Sequence, residues 1–177
     1  MKEFFKYVAA IIVGTLLAAC IIFYGDFTVT TPSAKAVSGK VITVEHIFNE
    51  CMKDEDCKVM AHAGYYEARN QTDEGVVAVM HVIKNRVAHK AWPSTVKGVV
   101  YQKNQFSYLW NGSAGKVMKE KQHKRMAVLA RRVLDGVIES PVGDAVLYHK
   151  VKMDAYPSWS TRVTKVGVLG DHIFYKL

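Results

Sequence analysis

Apolar and polar positions alternate in three distinct regimes along the 177-residue chain. Residues Tyr7 to Tyr24 form an unbroken uncharged run, preceded by Lys2 and Lys6. Eighteen residues at 1.5 Å each span roughly 27 Å, close to a hydrocarbon core. The run is too long for the apolar region of a cleaved signal peptide. Ala34-Lys35-Ala36 has the small-residue pattern of a cleavage site but lies far beyond it. Leu17-Ala18-Ala19-Cys20 resembles a lipoprotein processing box, yet Ile21, Ile22 and Phe23 continue the apolar stretch. The pattern predicts an uncleaved signal anchor over residues 1–25, spanning the membrane through residues 7–24. Lys2 and Lys6 would lie on the cytoplasmic side and the body would be exported. Residues 26–40, rich in Thr, Ser, Pro and Gly and without period, read as a linker.

From Val41 the pattern becomes helical, and residues 41–177 read as one domain. A first pair of helices is predicted over Val44–Met52 and Asp56–Arg69. In the second, Met60, Gly64 and Glu67 share a side at i, i+4, i+7. Thr72 or Asp73 caps the next helix, predicted to run to about His89 with an apolar stripe of Val76, Val79, Met80, Ile83 and Val87. Trp92-Pro93-Ser94 ends that region. Val96–Val100 is a short helix or strand. Tyr101–Gly115 is a long polar-aromatic loop, a kind of segment that is often functional. Met118–Val137 predicts an amphipathic helix, with Met126, Leu129, Ala130, Val133 and Val137 on one face and lysine and arginine on the other.

The third regime is strand-like. Gly143–His149, Val163–Val168 and His172–Tyr175 read as strands, the last two joined by a turn at Gly170-Asp171. The fold class is therefore α+β, mainly helical, with a small C-terminal antiparallel sheet behind a single N-terminal transmembrane helix.

Charge changes the picture. The formal net charge is +8. From Gly75 to Leu134 the only acid is Glu120, among twelve lysines and arginines, whereas from Val41 to Glu74 acids outnumber bases. Such a division fits an anionic partner (nucleic acid, lipid headgroups or an anionic wall polymer) or simply a solvated basic helix face. Cys51 and Cys57 stand six apart; in an oxidising compartment they can pair, or remain free. Seven histidines are present, but His62, His81, His149 and His172 are scattered, with no H-E-x-x-H or H-x-H pair. No metal or other cofactor is expected. Ser107 lacks the G-x-S-x-G context of a serine nucleophile.

Two segments hold candidate chemistry. Glu67 follows Tyr65 and Tyr66 near a helix end; desolvation there would raise its pKa and let it donate a proton to a glycosidic oxygen. The competing reading is a surface glutamate paired with Arg69 or Lys58. In the loop, Phe106, Tyr108 and Trp110 offer flat aromatic surface, while Gln105, Ser107 and Asn111 offer hydrogen-bonding groups. That combination suits a sugar site, or a loop that staples its aromatics to the core.

Three blocks in order carry a resemblance. They are Glu67-Ala68-Arg69 with Glu74-Gly75, Ala78-Val79, Val82-Ile83 and Asn85-Arg86-Val87; then Trp92 to Val96, Val99-Val100-Tyr101 and Gln105-Phe106-Ser107; then Tyr148-His149, Pro157, Trp159, Gly170 and His172 to Tyr175. Together they resemble the cell wall hydrolase family of the spore-cortex-lytic enzymes. The resemblance implies a lysozyme-like, lytic-transglycosylase-like body that cleaves peptidoglycan between N-acetylmuramic acid and N-acetylglucosamine. It implies Glu67 as the catalytic acid of E-A-R. Gln105, Phe106 and Ser107 are candidates for the substrate groove, and Tyr148, His149 and His172 either join them or simply brace the sheet. The family usually has Gly-Glu after E-A-R; here Asn70-Gln71 stand instead. Peptidoglycan is the expected partner and no nucleic acid is expected. Other readings kept open are a zinc-dependent amidase, a basic nucleic-acid-binding protein and a wall-binding module without catalysis.

Overall fold

The structure, a computed structural model, describes residues 42–177. The expected anchor over residues 1–25 and linker over 26–40 lie outside the described residues. Among the described residues no helix is long and apolar enough to cross a membrane.

The first four helices of the described residues begin where a side chain satisfies free backbone donors. Helix α1 (Val44–Lys53) is capped by Thr43, which accepts from the His46 amide. Helix α2 (Glu55–Ala68) is capped by Asp54, which accepts from the amides of Asp56 and Cys57. Helix α3 (Asp73–Ala88) is capped by Thr72, accepting from Gly75. Helix α4 (Val96–Val100) is capped by Thr95, and α5 spans Glu120–Leu134. Such caps are worth about 1 kcal/mol apiece. Cys51 and Cys57 form a disulfide across the α1–α2 junction, with 5.1 Å between their Cα atoms.

Helix α3 is the centre of the domain. The expected stripe is narrower than what is found: every residue from Gly75 to Ile83 is buried, and so is Arg86. The helix is surrounded, so its apolar residues run round it rather than along one face. Helices α2 and α5 close on it at Gly64. A Cβ built there would meet Met80 Cε at 2.5 Å, Val76 Cγ1 at 3.5 Å and Met126 Sδ at 3.6 Å. The missing side chain is what lets the three helices approach.

Helix α5 stops earlier than its pattern predicts. Gly136 takes φ +71°; its amide donates to Val133 O at 3.2 Å and that of Val137 to Arg132 O at 2.9 Å. This six-to-one and five-to-two pairing ends a helix, and it leaves Val137 exposed. The basic face of α5 meets the acids of the Val41–Glu74 stretch: Lys124 pairs with Glu45, Arg125 with Asp73 and Arg131 with Asp54. Much of the uneven charge is thus matched inside the molecule.

The sheet has strand order β1-β3-β2, all antiparallel: β1 (Leu147–Lys150), β2 (Thr164–Leu169) and β3 (His172–Lys176). Strand β1 starts four residues later than expected. Asn85 Nδ2 donates to the carbonyls of Gly143 and Ala145, at 2.8 Å each, which takes that segment's acceptors away from a ladder. Arg86 Nε donates to Val146 O at 2.6 Å. The Asn85-Arg86 pair on the central helix therefore delivers the chain into β1, and so places Tyr148.

Candidate active site

Glu67 occupies the last turn of α2, where the chain leaves the core. A turn follows, closed by Gln71 N donating to Ala68 O at 2.9 Å. The polar break after the helix turns the backbone without exposing apolar side chains. Glu67 opens into a cleft of about 480 Å³, bounded by Tyr66 to Gln71 on one side and by Lys150, Lys152, Asp171 and His172 on the sheet side.

Electrostatics in the cleft favour a retained proton. Glu67 is half-buried, and burial raises its pKa above the ordinary carboxylate value; the Tyr148 hydroxyl and the Lys150 charge oppose that rise. The Tyr148 Oη donates to Glu67 Oε2 at 3.4 Å, a long contact and so a weak restraint. Burial and the nearby Glu67 charge hold the Tyr148 phenol well above its usual range, so it stays a donor. The His172 ring meets Tyr148 edge-on at 5.1 Å. It is 2% exposed, neither ring nitrogen has a partner among the described residues, and burial lowers its pKa. Both nitrogens of this imidazole are buried in the cleft wall, each with hydrogen-bonding capacity that no described residue uses.

The tyrosines beside Glu67 have an architectural task. Tyr66 Oη donates to Lys116 O at 2.9 Å and its ring stacks on Tyr108 at 4.5 Å. Tyr65 Oη accepts from the Lys119 amide at 3.2 Å. Both pull the 101–119 loop against the end of the helix that holds the acid.

The structure brings three expected site residues together: Glu67, Tyr148 and His172. It does not bring the others to this cleft. Phe106, expected to offer an aromatic surface to sugar, is fully buried and is part of the core cluster. Gln105 accepts from Arg86 at 3.1 Å, which ties its side-chain oxygen to the core of the domain. Ser107 is exposed at the start of a short 3₁₀ turn, Ser107–Leu109, and does not line the cleft. His149 also lies away from this cleft. Alternation along β1 sends it to the face opposite Tyr148, where it bonds Tyr175 Oη at 2.8 Å and packs on Tyr156 and Trp159.

Residues not anticipated are Arg69, Asn70, Gln71, Lys150, Lys152 and Asp171. Lys150 had a readable signal: it lies two positions after Tyr148 in β1, on the same face by alternation. Gln71 and Asp171 had none, since their contact spans 100 residues. Among the described residues, no group of three or more His, Cys, Asp or Glu is arranged to hold a metal ion. The donor set of a zinc amidase is not assembled there.

Known proteins resemble this chain in sequence and in fold. The cell wall hydrolase family matches residues 70–175, beginning three residues after Glu67. A spore cortex-lytic enzyme of Bacillus cereus is 32% identical over 122 residues, covering 68% of this chain and 44% of that protein. One from Bacillus subtilis is 29% identical over 119 residues, covering 67% and 37%. The chain thus spans less than half the length of these relatives. Among solved structures, the catalytic domain of the germination-specific lytic transglycosylase SleB from Bacillus anthracis is similar at a TM-score of 0.58 and 30% identity. The match covers 70% of this chain and 95% of that one. The SleB catalytic domain from Bacillus cereus matches at the same score and identity, over 68% and 89%. With that match over residues 70–175, and with these relatives alongside, the chain belongs to the cell wall hydrolase family.

Proposed function

We propose that this protein cleaves the glycan strands of peptidoglycan as a lytic transglycosylase, with Glu67 as the single catalytic carboxyl. The observation that carries the proposal is a carboxyl whose pKa is raised by burial at the edge of a cleft, in a chain similar to a lytic transglycosylase domain. Protonated Glu67 donates to the oxygen joining N-acetylmuramic acid to N-acetylglucosamine. The bond from that oxygen to the muramic C1 breaks, and the oxygen leaves as the hydroxyl of N-acetylglucosamine. Charge develops at C1. Glu67, now a carboxylate, takes the proton of the muramic 6-hydroxyl as that oxygen bonds C1, closing a 1,6-anhydro ring and restoring the acid. One carboxyl serves both steps. If water took the place of the 6-hydroxyl the product would be a reducing end, a route that usually uses a second carboxylate.

General acid catalysis contributes roughly 10²–10⁴-fold, so positioning of the strand supplies the rest. Tyr148, bonded to Glu67, and His172, in the cleft wall, are the binding groups we propose. The apolar run over residues 7–24 is proposed to hold the domain at the envelope face of a membrane, as a remodelling enzyme or a phage endolysin. Digestion of purified peptidoglycan, with mass analysis of the new ends, tests the reaction. Anhydro-muramic ends support it; reducing muramic ends mean hydrolysis, and free peptide stems mean an amidase.

A further inference from the structure

The loop between α2 and α3 and the turn between β2 and β3 meet at one wall of the cleft through a single amide. Gln71 Nε2 donates to Asp171 Oδ2 at 2.6 Å, while the Asp171 backbone amide donates to Gln71 Oε1 at 3.1 Å. Both halves of the glutamine amide are used on one residue. The fit is close: Gly170 takes φ +55°, and a Cβ there would collide with Gln71 Oε1. A Cβ at Gly75 would lie 2.9 Å from Gln71 Cβ.

Both partners are also held from behind. Arg125 donates to Gln71 O at 2.9 Å and Arg69 O at 3.3 Å. The Val151 amide donates to Asp171 O at 2.8 Å, tying the turn to the segment that bears Lys150 and Lys152. The residue after Asp171 is His172, the buried imidazole at the cleft.

A carboxylate at position 71 could not make this contact at neutral pH. It would be an acceptor only, facing a second carboxylate, and one of the two would have to hold a proton. We propose that Gln71 is a positioning residue: its neutral amide clamps the β2–β3 turn, and with it His172, beside Glu67 throughout the neutral range. The proposal rests on the cleft being the glycan site, and deepens that reading.

The test uses Q71E, Q71A and the swap Q71E/D171N, in which an asparagine amide donates to the new carboxylate. Two readouts are followed: hydrogen exchange of the residue-171 amide, and the apparent KM and kcat on soluble glycan strands against pH. At neutral pH, Q71E is expected to speed exchange about tenfold, the equivalent of one lost hydrogen bond, and to raise KM more than kcat. Lowering the pH to about 5 is expected to reverse both effects in Q71E, as the pair comes to share a proton. Q71A is expected to show the faster exchange at every pH. The swap is expected to restore both readouts at neutral pH. Wild-type exchange and KM in Q71E, or a swap no better than Q71E, would overturn the proposal. Exchange that responds as expected while a Glu67→Gln variant stays fully active leaves the clamp standing and removes the glycan reading instead.

Discussion

Gly64 lies one turn before Glu67, and its substitution tests how helix packing sets the acid. Two opposing terms apply to Gly64→Ala. Alanine gains about 1 kcal/mol of helix propensity over glycine. Its Cβ would displace Met80 Cε, 2.5 Å away, but that atom is the end of a flexible side chain; a strained rotamer costs about 0.5–1.5 kcal/mol. The terms nearly cancel, so G64A is expected within about 1 kcal/mol of wild type.

Gly64→Val is different. Its two further methyl groups enter a space already bounded by Val76 at 3.5 Å and Met126 at 3.6 Å, so α2 must move off α3. Overpacking of this kind costs about 1–3 kcal/mol, or a fall in Tm of roughly 4–10 °C for a domain of this size. The displacement is passed to Glu67, and a misplacement of about 1 Å can cost on the order of 10²-fold in rate. Calorimetry and peptidoglycan digestion below the lowered Tm measure both. If G64V matched wild type in stability and rate, or G64A fell as far as G64V, the clearance argument would be refuted.

Two further predictions concern the pH limb and the disulfide. Tyr148→Phe removes the hydrogen bond that opposes the burial-driven rise of the Glu67 pKa. The protonated acid then persists to higher pH, and the alkaline limb of the pH–rate profile should move up; a downward shift would show that Tyr148 does not favour the Glu67 carboxylate. The double replacement C51S/C57S opens a short loop and should cost about 2 kcal/mol, seen as a lower guanidinium midpoint that reductant no longer changes; an unchanged midpoint contradicts it.

What could be read in the sequence was whatever local pattern dictates. Thr72 caps its helix because a hydroxyl beside free amides has a local partner, and Gly170-Asp171 turns because two strands flank it. The burial of Val76, Val79, Met80 and Ile83 followed from helical spacing. Long-range contacts were not legible. Phe106 has the same composition signal whether it faces sugar or core, and only the fold shows it fully buried in the core. His149 and Tyr148 are neighbours whose roles separate by strand alternation, which needs the sheet's orientation. Val137 continued a helical stripe, but Gly136 in a left-handed conformation ended it. Gln71 gained its partner from the far end of the chain, where no spacing rule reaches.

The most direct measurement is the rate of anhydro-muramic end formation by the Glu67→Gln variant, with its Tm confirming an intact fold. Glutamine keeps the shape of the side chain but has no proton to donate, so a loss of at least about 10²-fold is expected. Product released at the wild-type rate by a folded variant would contradict the account.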